Sequence, residues 1–349
     1  MRIAQIAPLV EAVPPRFYGG TERVISYLTE ELVALGHDVT LFASGDSVTA
    51  ARLEAIWPRA LRLDPTIRDT TAPYVLLMET VRRRVDEFDI LHFHINHWPF
   101  GLFCRQRTPF VTTLHGRLDL PELQPVFDAF PHAPVVSISD AQRLPLPQAN
   151  WVGTVHHGLP ERLLVPGAGR PGYLVFLGRI APEKRPDRAI CIAHACGIPL
   201  RIAARVDKAD QAYFDEIIRP MLGEGAEMVG EISEAQKAEL LGNALGLLMP
   251  VDWPEPFGLV MIEAMACGTP VVAFDHGSVP EVVEHGRTGF IVSDEAGAVE
   301  AVRRLGELDR VVVRRRFEER FTARRMAQDY LALYGNLVGE RRWGLHASQ

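Results

Sequence analysis

Cysteine is scarce: 349 residues contain four, Cys104, Cys191, Cys196 and Cys267. None forms a C-x-x-C pair or lies at zinc-finger spacing from histidine, which excludes a disulfide-stapled scaffold and a structural zinc module and fits a reducing, cytoplasmic setting. Long hydrophobic runs are missing too. No apolar stretch approaches the roughly 18 residues needed to cross a bilayer, and the longest, such as Ala244–Val251, has the length of a buried strand. The N-terminal run Ile3–Val10 is broken by Gln5 and Pro8 and reaches Glu11 without a signal-cleavage pattern, so it reads as a first strand. Positive charge is in deficit, with 37 Lys and Arg against 44 Asp and Glu for a net −7. A general nucleic-acid binder needs the opposite balance. After the first strand no G-x-G-x-x-G opens the helix, so the fingerprint of a nicotinamide-dependent dehydrogenase is absent.

What the chain has is the balance of a globular protein, 47% hydrophobic and 23% charged, able to bury a sizeable interior. Its length predicts two domains of about 150–200 residues each. Short apolar runs alternate with helical periodicity throughout, the pattern of parallel sheets covered on both faces by helices. In the first half the expected strands are Arg2–Ala7, Asp38–Ala43, Ile90–Phe93, Phe110–Leu114 and Pro134–Ile138. A helix between the first two is expected to take Thr21 as N-cap, bury Val24, Ile25, Leu28, Leu32 and Leu35, and stop at Gly36. The Pro- and Gly-rich segment Gly158–Gly172 reads as a linker. Beyond it the expected strands are Tyr173–Leu177, Leu200–Ala204, Glu227–Val229, Leu245–Met249, Pro270–Phe274 and Phe290–Val292, with helices near 187–196, 210–219, 234–241, 258–266 and 295–306. Thr322–Arg342 reads as one long helix returning to the first domain. The arginines at 314, 315, 316, 320, 324 and 325, interspersed with Glu318 and Glu319, read as a solvated helical face. The predicted architecture is α/β: two Rossmann-like domains, 1–165 and 166–321, facing each other across a cleft, with 322–349 as the terminal helix.

The densest motif runs from Trp253 to Pro270. Pro254 and Pro256 break the chain after a buried strand, and a helix is expected to start near Phe257 and end before Gly268. The amides of Phe257, Gly258 and Leu259 would then face outward at the positive end of the helix, an arrangement that binds phosphate. Glu255 stands just before them and Glu263 about 9 Å further along the axis at about 1.5 Å per residue, so two carboxylates bracket an anion site. A nucleoside diphosphate sugar has that layout, hydroxyl-rich at both ends and negative between. Taken singly, Glu255 reads as a carboxylate satisfying the helix start and Glu263 as a structural acid. A second motif, Gly178-Arg179 through Lys184-Arg185-Pro186-Asp187, follows the strand Tyr173–Leu177. Gly178 would let the chain turn, presenting Arg179 and Lys184 on a loop placed to neutralise a leaving diphosphate. A basic, solvated loop is the alternative.

With Gly19-Gly20-Thr21-Glu22, Thr113-Leu114-His115-Gly116, Ser137-Ile138-Ser139 and His157-Gly158, these motifs make the sequence resemble glycosyltransferase family 4 over nearly its whole length. That family comprises two-domain GT-B enzymes that transfer sugars from nucleotide donors with retention of configuration. The most specific parts of the resemblance are Gly178-Arg179 with Lys184, and Glu255 with seven residues before Glu263. It implies Arg179 and Lys184 on the donor diphosphate with the amides of Phe257, Gly258 and Leu259, and Glu263 on the ribose. It also implies Glu255 at the transferred sugar or the charge on its reacting carbon, Gly19 and Gly20 in a loop close to the phosphates, and His115 beside the sugar. Lys184-Arg185-Pro186 departs from the family's common Lys-Gly at that point.

Without the resemblance, His115 reads as a strand-end histidine bonded to backbone. His92, His94 and His97 form H-x-H-x-x-H, and His92 and His94 share a strand face, but no nearby carboxylate completes a metal site. The chain also lacks any D-x-D triplet, the usual metal clamp on nucleotide sugars in the other major transferase fold. No divalent metal or other cofactor is expected. The implied activity moves a hexose from UDP-glucose or a close relative to an acceptor hydroxyl. The expected partners are thus a nucleotide sugar and an unidentified acceptor, with no nucleic acid and with peripheral membrane contact left open. The competing readings are a UDP-sugar 2-epimerase or hydrolase on the same scaffold and a non-catalytic nucleotide-sugar sensor. Residues 44–71 carry no motif that names the acceptor, and Trp98, Phe100 and Phe103 read as core or acceptor surface.

Overall fold

A computed structural model describes residues 1–16, 19–167 and 172–346, with side chains through 339. Phe17 and Tyr18, and residues 168–171 of the expected linker, lie outside the described residues. The chain forms two compact units, Met1–Gly158 with Ala323–Gln349, and Leu159–Thr322. The first crossing falls at Gly158, ahead of the 165/166 boundary expected from composition, because the residues just after it are tied to the second unit. Leu159 N–H donates to Phe321 O at 2.9 Å, and Arg314 donates to the carbonyls of Glu161 and Leu164 at 2.7 and 2.8 Å.

Among the described residues the first unit holds seven strands: β1 (Arg2–Ile6), β2 (Asp38–Ser44), β3 (Arg52–Trp57), β4 (Ile90–Phe93), β5 (Phe110–Thr113), β6 (Pro134–Ser137) and β7 (Asn150–Thr154). They form a sheet in the order β3-β2-β1-β4-β5-β6-β7 with every pair parallel. Apart from Arg2, Asp38 and the half-buried Pro134 at their starts, the inner strands are buried, and most of their residues are apolar, which makes them readable. β3 and β7 were not anticipated: both are edge strands, half exposed, with Arg52, Glu54 and Asn150 among their residues. The helix α1 (Gly20–Ala34) starts one residue before Thr21, on Gly19, and has no side-chain cap, so Thr21 is not the N-cap. Its far end behaves as expected. Gly36 is left-handed at φ 84°, and the N–H groups of Gly36 and His37 reach back to the carbonyls of Val33 and Leu32, closing the helix with two bonds. Phe42, Phe93, Phe100, Phe103, Phe110 and Phe127 sit in one buried cluster, which settles Phe100 and Phe103 as core.

In the second unit β8 (Leu174–Ile180), β9 (Leu200–Val206), β10 (Ala226–Met228), β11 (Gly246–Met249), β12 (Val271–Phe274) and β13 (Gly289–Val292) form a parallel sheet. The order is β10-β9-β8-β11-β12-β13, that of a nucleotide-binding Rossmann sheet, with its crevice where the strand order reverses between β8 and β11. The corresponding point of the first unit lies between β1 and β4. The helices that matter for the sites are α2 (Pro186–Cys196), α3 (Glu234–Gly242), α4 (Leu259–Ala266) and α5 (Ala323–His346). The segment expected as a helix at 210–219 is a short α turn, Gln211–Tyr213, widening into a π turn over Phe214–Ile218.

The terminal helix α5 belongs to the first unit, where Tyr330 and Tyr334 are almost wholly buried. The arginines ahead of it are not a solvated face. Arg314 donates to three carbonyls, those of Glu161, Leu164 and Ala266, and Arg316 and Arg320 converge on Glu284. Arg325 holds the carbonyls of His156 and His157. The planar forks of Arg314, Arg320 and Arg325 bind backbone carbonyls that would otherwise be unsatisfied; of the six arginines Arg315 and Arg324 are exposed.

Candidate functional site

In the second unit the expected residues lie at the carboxyl edge of the sheet, at the end of β8 and on the segments that follow β8 and β11. Gly178 is not a turn: β8 runs through it to Ile180, its backbone is not left-handed, and Arg179 is itself a strand residue. The turn comes later, in one 3₁₀ turn over Pro182–Lys184 and a left-handed Arg185 at φ 53° that starts α2 with Pro186 as its first residue. Arg185 thus occupies the conformation in which glycine is the usual residue, clasped by Asp187 at 2.8 Å and Asp252 at 3.0 Å. Asp252 N–H in turn donates to Glu183 O at 2.9 Å, fastening the two loops together.

That clasp brings Lys184 onto Glu255. The ammonium donates to Glu255 Oε2, which also accepts from the indole N–H of Trp253 at 3.0 Å, and Lys184 Nζ lies 4.8 Å from the Trp253 ring centre. Glu255 is 8% exposed, so its charge is held by these partners rather than by bulk water. Arg179 lies further toward the β9 side, bonded to Glu183 at 2.5 Å with Asp207 and Asp210 each at 3.6 Å. Gly277, overlooked in the sequence, supports the Glu255 loop. It is left-handed at φ 59°, and a Cβ there would meet Glu255 O at 2.3 Å, while Ser278 N–H donates to the same oxygen at 2.9 Å.

The helix start lies two residues later than expected. Gly258 is left-handed at φ 75° and caps α4, which begins at Leu259, so the outward amides at its tip belong to Leu259 and Val260. Phe257 and Gly258 are in the preceding turn: the Phe257 ring is buried, and its carbonyl accepts from Ser278 Oγ at 2.8 Å. Glu263 sits one turn into α4, 4% exposed, and accepts from Lys237 Nζ at 2.7 Å. Lys237, on α3, also reaches Glu234 at 3.0 Å. It was readable as a lysine one turn ahead of Leu240 and Leu241 on the apolar face of its helix. Burial, then the neighbouring Glu263, pushes the Cys267 thiol up to about 12.

The first unit has its own cluster at the carboxyl ends of β1, β4 and β5. Gly19 has extended backbone, and a Cβ on it would crowd Pro15 at 2.8 Å; Gly20 is the first residue of α1. His115, just past β5, is bonded through Nε2 to His94 Nδ1 at 2.9 Å and stacks on His157 with ring centres 5.3 Å apart. Its partner is a side chain and not backbone. His94 Nε2 meets Gln5 Oε1 at 2.8 Å, while His92 is bonded to Tyr334 at 2.6 Å and Thr113 at 2.7 Å. Both ring nitrogens of His92 and of His94 are therefore engaged in hydrogen bonds, and among the described residues no three His, Cys, Asp or Glu side chains gather as a metal site. Burial holds His92, His94 and His157 well below the ordinary histidine range and lowers His115 to about 3.

Two parallel Rossmann-like sheets with a returning terminal helix define an α/β protein of the GT-B class. Residues 166–322 match the family described as glycosyl transferases group 1, and residues 18–143 match glycosyltransferase family 4. The chain belongs to these group 1, family 4 glycosyltransferases and is a transferase. It is 25% identical over 93% of its length, and 96% of the relative's, to N-acetyl-alpha-D-glucosaminyl L-malate synthase of Bacillus anthracis. It is 29% identical to D-inositol 3-phosphate glycosyltransferase of Mycobacterium tuberculosis, covering 72% of this chain and 62% of that one. Among solved structures, AviGT4, a glycosyltransferase involved in avilamycin A biosynthesis, superposes with TM-score 0.75 at 24% identity over 97% of this chain and 98% of that chain. Anabaena HepE in complex with UDP and glucose gives 0.74 at 18% identity over 96% and 100%. At these identities the structures bear on the fold alone.

Proposed function

We propose that the protein is a retaining glycosyltransferase that moves a hexose from a nucleotide sugar, UDP-glucose or a close relative, to an acceptor hydroxyl. The observation that carries the reading is the meeting of Lys184 and Glu255, from the loops after β8 and β11, beside the amide tip of α4. A diphosphate on that tip would share Lys184 with Glu255 and take Arg179 from its acidic neighbours. Its ribose would engage Glu263, which Lys237 already orients.

In the reaction the bond from the anomeric carbon to the β-phosphate oxygen breaks and a bond to the acceptor oxygen forms on the same face. The acceptor proton passes to the departing phosphate oxygen, so no side chain need act as base. The sugar carries oxocarbenium-like charge as the bond breaks, and fixed groups that stabilise that charge and the leaving diphosphate supply the catalysis. Lys184, Arg179 and the Leu259 and Val260 amides serve the leaving group and Glu255 the sugar, and Gly19 and Gly20 at the phosphates and His115 at the sugar keep the roles that the family resemblance implies. Cations and amides then do the work of a divalent metal, in a cytoplasmic enzyme. Mass spectrometry of donor and acceptor panels with a chelator present tests this reading. Glycosylated acceptor plus UDP supports it; free UDP with no acceptor product favours an epimerase or hydrolase, and UDP binding without turnover favours a sensor.

A further inference from the structure

The buried polar chain of the first unit has a direction. Gln5, on β1, is the only member whose roles are fixed by its chemistry: its amide oxygen accepts and its amide nitrogen donates. Its oxygen faces His94 Nε2 at 2.8 Å, so that nitrogen carries the proton and His94 Nδ1 is an acceptor. His115 Nε2, 2.9 Å from His94 Nδ1, must then be the protonated nitrogen of His115, which leaves Nδ1 with a lone pair. That Nδ1 is buried and has no hydrogen-bond partner among the described residues.

On the other side Gln5 Nε2 donates to Tyr334 OH at 3.1 Å. Tyr334 donates onward to His92 Nδ1, and His92 Nε2 to Thr113 Oγ1, which meets Tyr330 OH at 2.8 Å. Reversing the Gln5 amide would reverse every bond and end the chain in a buried, unpaired N–H on His115. A buried orphan N–H is rarer and costlier than a spare acceptor, so the direction seen is the favoured one.

We infer that Gln5 and His94 are positioning residues: they hold His115 as the Nε2–H tautomer with Nδ1 presented as an acceptor, and Tyr334 of the terminal helix anchors the amide that sets this order. The inference rests on the reading in which His115 meets the donor sugar, because an acceptor nitrogen suits a sugar hydroxyl. Its structural content is independent of activity. Burial of the imidazoles keeps all three rings neutral, so the tautomer does not switch across the physiological range.

The test is ¹⁵N NMR of histidine-labelled full-length protein near neutral pH, with His115 assigned by its loss in His115→Asn. The expected spectrum shows His115 protonated on Nε2 and bare on Nδ1. Protonation on Nδ1, or a mixture, in the wild-type protein overturns the inference without any variant having to fold. In His94→Leu the acceptor is lost, His115 becomes a tautomer mixture, and the turnover number for sugar transfer falls about tenfold with the donor KM little changed. His94→Asn, whose side-chain oxygen reaches near the Nδ1 position, recovers both. A His115 tautomer unchanged in His94→Leu, or turnover lost equally in His94→Asn, contradicts the role. Absence of any transfer in wild-type protein whose His115 shows the expected tautomer removes the glycosyltransferase reading and leaves the hydrogen-bond order standing.

Discussion

Glu263 is buried and already oriented by Lys237, so a ribose that binds it meets a carboxylate with little motion left to lose. Replacing Glu263 by Ala removes a charged acceptor worth about 1.5–3 kcal/mol. The UDP dissociation constant measured by calorimetry should rise about 10- to 100-fold, and an unchanged constant rejects the ribose role. Lys184→Ala should lower transfer about 10²- to 10³-fold through lost leaving-group stabilisation; wild-type turnover would remove the assignment. Gly277→Ala tests the loop beneath. A Cβ 2.3 Å from Glu255 O at a positive φ has to push that carbonyl aside, so UDP affinity and thermal stability should both fall, whereas Gly286→Ala, with a positive φ and open space around it, should leave UDP affinity unchanged. Residue types were legible at this scale because the proposed chemistry demands them: a carboxylate pair with seven residues between its members and two cations at and just after the end of a strand. Their partners were not. Nothing in the sequence pairs Lys184 with Glu255, 71 positions away, or gives His115 a histidine rather than backbone as its partner.

At the scale of elements, buried strands announced themselves and edge strands did not. β11 and β12 are apolar because both faces are covered, and even His92 on β4 and Thr112 and Thr113 on β5 are buried, while β3 and β7 pair on one side only and tolerate Arg52 and Asn150. Boundaries shifted where backbone conformation, invisible in composition, intervened: the left-handed Gly258 delays α4, and β8 continues straight through Gly178. The arginine cluster was misread as solvated because its acceptors, backbone carbonyls and the Glu284 carboxylate, lie far away in the sequence. Arg314, 13% exposed in its side chain, satisfies three of them. Arg314→Ala should therefore cost about 2–3 kcal/mol, seen as a lower midpoint in denaturant unfolding, and a loss below about 0.5 kcal/mol would show the carbonyls to be satisfied otherwise.

For the whole molecule, the two units carry different electrostatic burdens. The first unit buries four imidazoles, His92, His94, His115 and His157, all with pKa values depressed below the ordinary 6.5 and His115 to about 3. Between the depressed and the ordinary values the unfolded chain binds protons that the native one does not, so stability falls as pH drops below about 6.5, by about 1.4 kcal/mol per pH unit for each such group. Above about 7 these groups contribute no slope. Calorimetry at pH 7.5 and pH 5 should show the melting transition that includes the first unit moving to markedly lower temperature in acid, and a pH-independent midpoint over that range would refute the burial of these rings.

The central claim is that the second unit grips a nucleoside diphosphate between Lys184 and the tip of α4, with Arg179 drawn in from the β9 side. The most direct measurement is the electron density of UDP soaked into crystals of the protein. The prediction places the diphosphate on Lys184 and the Leu259 and Val260 amides, with the ribose on Glu263; nucleotide bound away from these residues would contradict it.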